Sequence, residues 1–292
     1  MRRLVPLILA ACLVAALPAA AQLRISILAA GESAESGIAL PADALPDTHV
    51  GRGRNDIAAA WLAQPTDRYD HGVLGDAIEA TAVRVLTRDG KTLSYVLTDD
   101  SVFEDLYARV HDIDGDGHDE VLVVHSRQTA GSSLVALGVR DGKLVLVGET
   151  DPIGGRHRWL NPVGVADVDN DGRPEVVVVL TPHIGGTLVV YRFEGGRFYE
   201  RGRIGGVSNH RIGSRALGLA AFVDIDGDGI LELVIPSQDR LALRAIGLHN
   251  GIPLEQVRIN LPSPASGDFE VRPPYGLVVP LEDGRRAMVR WR

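Results

Sequence analysis

One nine-residue acidic pattern occurs three times in this chain and constrains its fold more than anything else. The copies are Asp112-Ile113-Asp114-Gly115-Asp116-Gly117-His118-Asp119-Glu120, Asp167-Val168-Asp169-Asn170-Asp171-Gly172-Arg173-Pro174-Glu175 and Asp224-Ile225-Asp226-Gly227-Asp228-Gly229-Ile230-Leu231-Glu232. They start 55 and 57 residues apart, and each runs directly into an apolar segment. Carboxylates at alternate positions of a tight loop turn their oxygens inward, and the glycine at position six permits the sharp turn. That is the coordination chemistry of a hard cation of calcium size. Recurrence at a fixed interval makes the loop part of a structural repeat.

A second marker runs out of phase with the first. Extended segments flank a two-residue turn at Asp89-Gly90, Asp141-Gly142, Gly195-Gly196 and Asn250-Gly251, which is a β-hairpin signal. The turn glycines are 52, 54 and 55 residues apart, so both markers give one period. Each unit reads as a strand, the acidic loop, a second strand, and a hairpin supplying strands three and four. Four antiparallel strands per unit of roughly 50 residues is a propeller blade. The expected fold is therefore all-β: a β-propeller of about five four-stranded blades with a period of about 54 residues.

The flanks are less regular. The first unit keeps its hairpin but lacks a full acidic loop, and Gly75–Glu79 reads as a remnant of one. The best helical candidate is the short stretch Asp56–Leu62. A last hairpin turns at Asp283-Gly284, only 33 residues after Gly251, too close for a whole blade. An N-terminal strand near Leu23–Ala29 is expected to complete that blade and close the ring, leaving no free sheet edge.

The N-terminus reads as a secretory signal peptide: Met1-Arg2-Arg3, an apolar run from Leu4 to Ala16, and Ala19-Ala20-Ala21 before Gln22. The expected organisation is residues 1–21 as signal and residues 22–292 as one propeller domain, in the periplasm or secreted. The apolar run is too short for a convincing membrane span. Leu9-Ala10-Ala11-Cys12 also has the look of a lipoprotein box, a weaker reading because apolar residues continue past Cys12. Cleavage after Ala21 removes the only cysteine, so neither a disulfide nor a thiol serves the mature fold. The formal net charge is −8 and no basic run appears, which argues against nucleic-acid binding.

Within the loops, the aspartates at positions one, three and five are the expected side-chain ligands: Asp112, Asp114 and Asp116; Asp167, Asp169 and Asp171; Asp224, Asp226 and Asp228. The backbone carbonyls of His118, Arg173 and Ile230 and the closing carboxylates of Glu120, Glu175 and Glu232 complete each shell. About three Ca2+ ions are expected. An EF-hand closes at position twelve and continues as a helix, whereas these loops cap strands.

These loops resemble the calcium loops of the FG-GAP/VCBS repeat family, found in bacterial secreted propellers and in the integrin alpha-subunit head. The resemblance covers about Val102 to Leu261. The Phe-Gly and Gly-Ala-Pro sequences that name the repeat are absent, which separates the calcium loops from integrin-style ligand binding. The resemblance implies a non-catalytic binding or scaffold module for a protein or glycan partner in the cell envelope.

Catalytic signatures are sparse. Neither G-x-S-x-G nor H-E-x-x-H occurs. Asp70-His71, Arg156-His157-Arg158-Trp159 and Asn209-His210-Arg211 could present polar groups at one mouth of a channel. The alternative function is thus an enzyme on a propeller scaffold acting on polysaccharide, or a small polar ligand in that channel. Of the acids outside the loops, Glu79, Glu104 and Asp105 are left as catalytic candidates and nothing singles them out, and Trp61, Trp159 and Trp291 read as packing residues.

Overall fold

The structure is a computed structural model that describes residues 24–28, 40–99, 101–249 and 251–291. The signal segment and Cys12 lie outside the described residues. Every regular element among the described residues is a strand. β1 (Arg24–Leu28) is followed by β2 (Ile57–Thr66), β3 (Glu79–Thr87), β4 (Thr92–Val96) and the short β5 (Val102–Phe103). Next come β6 (Arg109–His111), β7 (Glu120–Arg127), β8 (Gly131–Arg140) and β9 (Lys143–Glu149). The third group is β10 (Leu160–Ala166), β11 (Glu175–Leu180), β12 (Thr187–Glu194) and β13 (Arg197–Gly205). The fourth is β14 (Ala221–Val223), β15 (Glu232–Pro236), β16 (Ala242–His249) and β17 (Ile252–Asn260). β18 (Glu270–Arg272), β19 (Gly276–Pro280) and β20 (Arg286–Arg290) end the chain. No helix among the described residues is long and apolar enough to cross a membrane.

The sheets are antiparallel and propeller-like. β10 to β13 form one four-stranded meander and β14 to β17 another. The third joins distant parts of the chain in the order β1-β20-β19-β18, with Arg24 to Leu28 paired residue for residue against Arg290 to Arg286. The expected completion of the last unit by an N-terminal strand is therefore observed. The first two units differ from separate blades. β2-β3-β4 and β6-β7-β8-β9 merge into one eight-stranded sheet, because β5 bridges Ala80 of β3 and Ser126 and His125 of β7.

Two expectations are corrected. Asp56–Leu62 is not helical, because Ile57 onward forms β2. Its alanines favour a helix, but the strand is packed on both faces. Ile57, Ala60 and Leu62 enter the largest core, while Trp61 and Ala63 pack with Ala82 on the other side. Tertiary burial overrides propensity here. Gly75–Glu79 is not an acidic-loop remnant, because it connects β2 to β3. The first unit's inner segment bridges β2 at Ala44↔Ala63 and Gly51↔Ala60, so its counterpart of the acidic loop is Arg52–Asp56. There, Asp119 accepts from the backbone N–H groups of Asn55 (2.7 Å) and Ile57 (3.2 Å).

Burial explains the composition of the strands. β7, β11 and β15 are buried on both faces and read as continuous apolar runs. The outer strands β4, β13 and β17 are largely exposed. Cores lie between neighbouring units: Val177, Val179 and Val190 meet Leu233, Ile235 and Ile246, and Leu243 and Ala245 meet Leu277, Val279 and Val289. The hairpins repeat even in their irregularities. Register shifts fall at Ala136/Leu137, Val190/Tyr191 and Ala245/Ile246, the same place in three successive units.

β1 supplies five paired residues to the sheet of the last unit. Deleting the mature protein's residues up to Leu28 would leave β20 as an open edge. Tm by calorimetry should fall by roughly 5–10 °C; an unchanged Tm would show that β1 contributes nothing to stability.

Candidate functional site

The three acidic loops sit between the first and second strands of successive units and share one hydrogen-bond pattern. In the first, Asp112 accepts from the N–H groups of Gly115 (2.7 Å) and Gly117 (2.9 Å). Asp224 does the same with Gly227 (2.6 Å) and Gly229 (3.0 Å), and Asp167 with Asp171 (3.2 Å) and Gly172 (2.9 Å). The closing glutamate returns to the loop's second residue in every copy. Ile113, Val168 and Ile225 donate N–H to Glu120 (3.4 Å), Glu175 (3.1 Å) and Glu232 (2.9 Å). Gly117, Gly172 and Gly229 adopt φ of 87°, 85° and 86°, as the position-six turn requires.

Positions one, three and nine converge. Oxygens of Asp112, Asp114 and Glu120 lie within 4.8 Å of one another, as do those of Asp167, Asp169 and Glu175 and of Asp224, Asp226 and Glu232. Three carboxylates with no nitrogen or sulfur are a donor set able to hold a hard metal ion. The fifth-position aspartates lie outside these groups. Asp116, Asp171 and Asp228 accept from the N–H of His118, Arg173 and Ile230 at 2.8, 2.9 and 2.7 Å. The His118 imidazole faces Asp56 at 3.3 Å.

Electrostatics in the loops favour a cation. Burial pushes the Glu120 and Glu232 carboxyls up to about 7, and neighbouring aspartates push the same way. Burial, then Asp116, also raises Asp114. Burial would raise Asp171 too, but its hydrogen bonds from Arg192 hold it below the usual range.

The other end of the strands carries a different cluster. In an antiparallel meander, the first-to-second and third-to-fourth connections share one end and the remaining connections share the other. The acidic loops occupy the first end. His71, His157, His183 and His210 occupy the second. His71 Nδ1 lies 2.5 Å from Glu104 Oε1, and the Ser126 hydroxyl donates to Glu104 Oε2 at 2.5 Å. His157 stacks on His71 with ring centroids 4.8 Å apart, and its Nε2 lies 3.1 Å from Asp70. His183 Nε2 and His210 Nδ1 are 2.8 Å apart, and His210 Nε2 donates to the Ser214 carbonyl at 2.8 Å. Burial pushes His183 down to about 4 and His210 to about 3, each helped by a neighbouring histidine. Tyr69 is buried beneath His71 and His157, and burial, then Glu104, pushes it up to about 12.

Sequence reading brought His71, His157 and His210 to this end but did not single out Glu104, Ser126 or His183. Arg158 and Arg211 are exposed, outside the cluster of rings. Asp105, left over in sequence, is structural: it accepts from Arg109 (2.7 Å) and from the N–H of Leu106, Tyr107 and Val124. Glu79 is 1% exposed with neither oxygen hydrogen-bonded, and burial, then Glu104, pushes it up to about 10. Trp61, Trp159 and Trp291 are all buried, as expected of packing residues.

A third feature was invisible in sequence. Arg272, Gly276, Arg290 and Arg24 stand in one row across β18, β19, β20 and β1. They line a cleft of about 600 Å³ with Tyr275 and Trp291. Like charges directly opposite one another, as Arg24 and Arg290 are, destabilise a sheet. Among the described residues, only Arg272 of the three has a carboxylate partner, Glu270 at 2.5 Å. The buried Trp291 indole N–H has no acceptor there.

The family model for the FG-GAP-like repeat matches residues 112–178 and 167–235. No curated protein matches the chain. Among solved structures, the crystal structure of the Saccharomyces cerevisiae Sqt1 is similar at 12% identity and a TM-score of 0.50, over 84% of this chain and 58% of that one. The chain thus spans little more than half the length of that structure, and the likeness is one of fold.

The raised carboxyls set a pH dependence. A folded value near 7, above the unfolded value of 4.5, gives stability that is fully present below 4.5 and lost as pH rises through 7. The depressed histidines act oppositely but only below about 6.5, and Glu79 adds a slope common to all conditions. A cation displaces the loop protons. The gap in Tm between calcium and chelator should therefore widen from pH 6.5 to pH 8; a constant gap would mean that the loop glutamates do not titrate there.

Proposed function

We propose that this chain, which carries FG-GAP-like repeats over residues 112–235, is an exported, non-catalytic binding module built as a calcium-stapled propeller of five blades. The observation that carries the reading is the thrice-repeated loop, in which three carboxylates meet at the junction of two inner strands. A cation held there ties the first strand of a blade to the second and neutralises a buried glutamate. Asp112, Asp114 and Glu120 and their counterparts would hold it. The remaining ligands would come from the backbone carbonyls of His118, Arg173 and Ile230 and from water. Export rests on the N-terminal sequence, and the five blades rest on the five strand groups with β1 as the outer strand of the last.

The ligand-binding surface in this reading is the arginine cleft. The guanidinium groups of Arg24 and Arg290, without a carboxylate partner among the described residues, and the half-exposed Tyr275 suit an acidic glycan, with oxyanions meeting arginine and sugar faces meeting the aromatic ring. A second reading, an enzyme acting on polysaccharide, is favoured by one observation: Glu104 holds His71 as a carboxylate holds a general base.

Two measurements test these readings. Elemental analysis of the purified mature protein should find bound calcium, and chelator should lower Tm by more than about 5 °C. Absence of both would overturn the calcium staple. Uronate-containing oligosaccharide should bind saturably without turnover, and Arg24→Ala with Arg290→Ala should weaken binding about tenfold or more. Turnover abolished by His71→Ala would favour the enzyme instead.

A further inference from the structure

The three loops share a backbone but differ in the charge placed against them. Glu120 pairs in register with Gly138, and Glu175 with Arg192. Continuing the Leu233↔Ile246 register, Glu232 stands opposite Gly247. Only the middle loop thus has a side chain at this position.

That side chain is a guanidinium aimed into the acidic group. Arg192 Nε donates to Glu175 Oε1 at 2.8 Å, and Nη2 closes on the same oxygen. Nη1 and Nη2 both reach Asp171 Oδ2 at 3.0 Å, and Nη2 lies 3.5 Å from Asp169. The Arg192 side chain is 7% exposed, so solvent screens these contacts little. In the first loop, Arg140 makes a single looser approach, 3.2 Å from Glu120 and 3.9 Å from Asp116, and is 39% exposed. No cationic side chain among the described residues pairs with the loop from Asp224 to Glu232. The space over Gly247 is taken by the neutral Gln256.

We infer that Arg192 is a resident counter-cation, so that the three loops form a graded series. The loop from Asp224 to Glu232 binds a divalent cation most tightly, the loop from Asp112 to Glu120 follows, and the loop from Asp167 to Glu175 binds weakly. Arg192 acts in two ways. It takes up Glu175 Oε1, the oxygen left free once Oε2 accepts from Val168, and it sets a fixed positive charge beside Asp169. A carboxylate group already neutralised has less to gain from a metal ion, because ligand charge tunes cation affinity. The middle loop is then held closed by an ion-paired arginine whether or not calcium is present.

The inference rests on the calcium reading of the loops, and calcium titration of the full mature chain by calorimetry separates the two. The wild type should show two tight sites and a third at least about tenfold weaker. Asp226→Ala should remove one tight site, whereas Asp169→Ala should leave both in place. Arg192→Gln should strengthen the third site about tenfold or more, and its Tm should fall more in chelator than in calcium. Equal loss of a tight site from Asp169→Ala and Asp226→Ala would overturn the graded series while leaving the calcium reading intact. No calcium uptake by the wild type would overturn both. The two aspartate variants decide the matter even if Arg192→Gln fails to fold.

Discussion

The buried glutamate at the root of each acidic loop is the interaction on which the rest depends. Glu120, Glu175 and Glu232 each open the second strand of a unit and are at most 2% exposed. One oxygen accepts from the loop's second residue and so fixes the loop on the strand. The other is left among aspartates. A buried carboxylate needs a proton, a cationic partner or a metal ion, since an unpaired charge in this setting is costly. The chain meets that need differently in its three copies, with a guanidinium at Glu175, a partial one at Glu120 and, among the described residues, none at Glu232. One repeated backbone therefore poses one electrostatic problem, and the residue at the facing position supplies different solutions.

Strand order separates this problem from the histidine chemistry. The acidic loops share one end with the hairpin turns at Gly90, Gly142, Gly196 and Gly251, while the histidine cluster gathers at the other. A cation in the loops cannot touch a ligand at the histidines; it can act there only by stiffening the strands between. The buried double-sided strands β7, β11 and β15 are the connecting rods, each opening at its loop glutamate and leading to the connections of the opposite end.

Much of this was legible in the sequence because repetition multiplies a weak signal. A single Asp-Gly turn says little, yet four turns and three acidic loops at one spacing specify strand, loop and hairpin together. Completion of the last sheet by β1 also followed from counting, since Asp283-Gly284 comes too soon for a whole blade. What failed were local readings in the first unit, where the repeat is degenerate. The alanines of β2 read as helix until burial on both faces was known, and Gly75–Glu79 read as a loop because spacing alone cannot tell one connection from another. Side-chain partnerships across strands were beyond reach. Nothing near Arg192 in sequence points to Glu175, and the arginine row draws on residues 24, 272 and 290.

The same non-locality bears on how the last sheet holds together. β1 brings Arg24 directly opposite Arg290, an arrangement that costs stability in a strand pair. The pairing persists through the ladder of five paired residues, laid on β20, whose Ala287 and Val289 pack with Leu277 and Val279 of β19 against Leu243 and Ala245. An oxyanion bound between the guanidinium groups would remove the repulsion. Ligand binding and completion of this sheet would then be linked, each stabilising the other by the same free energy.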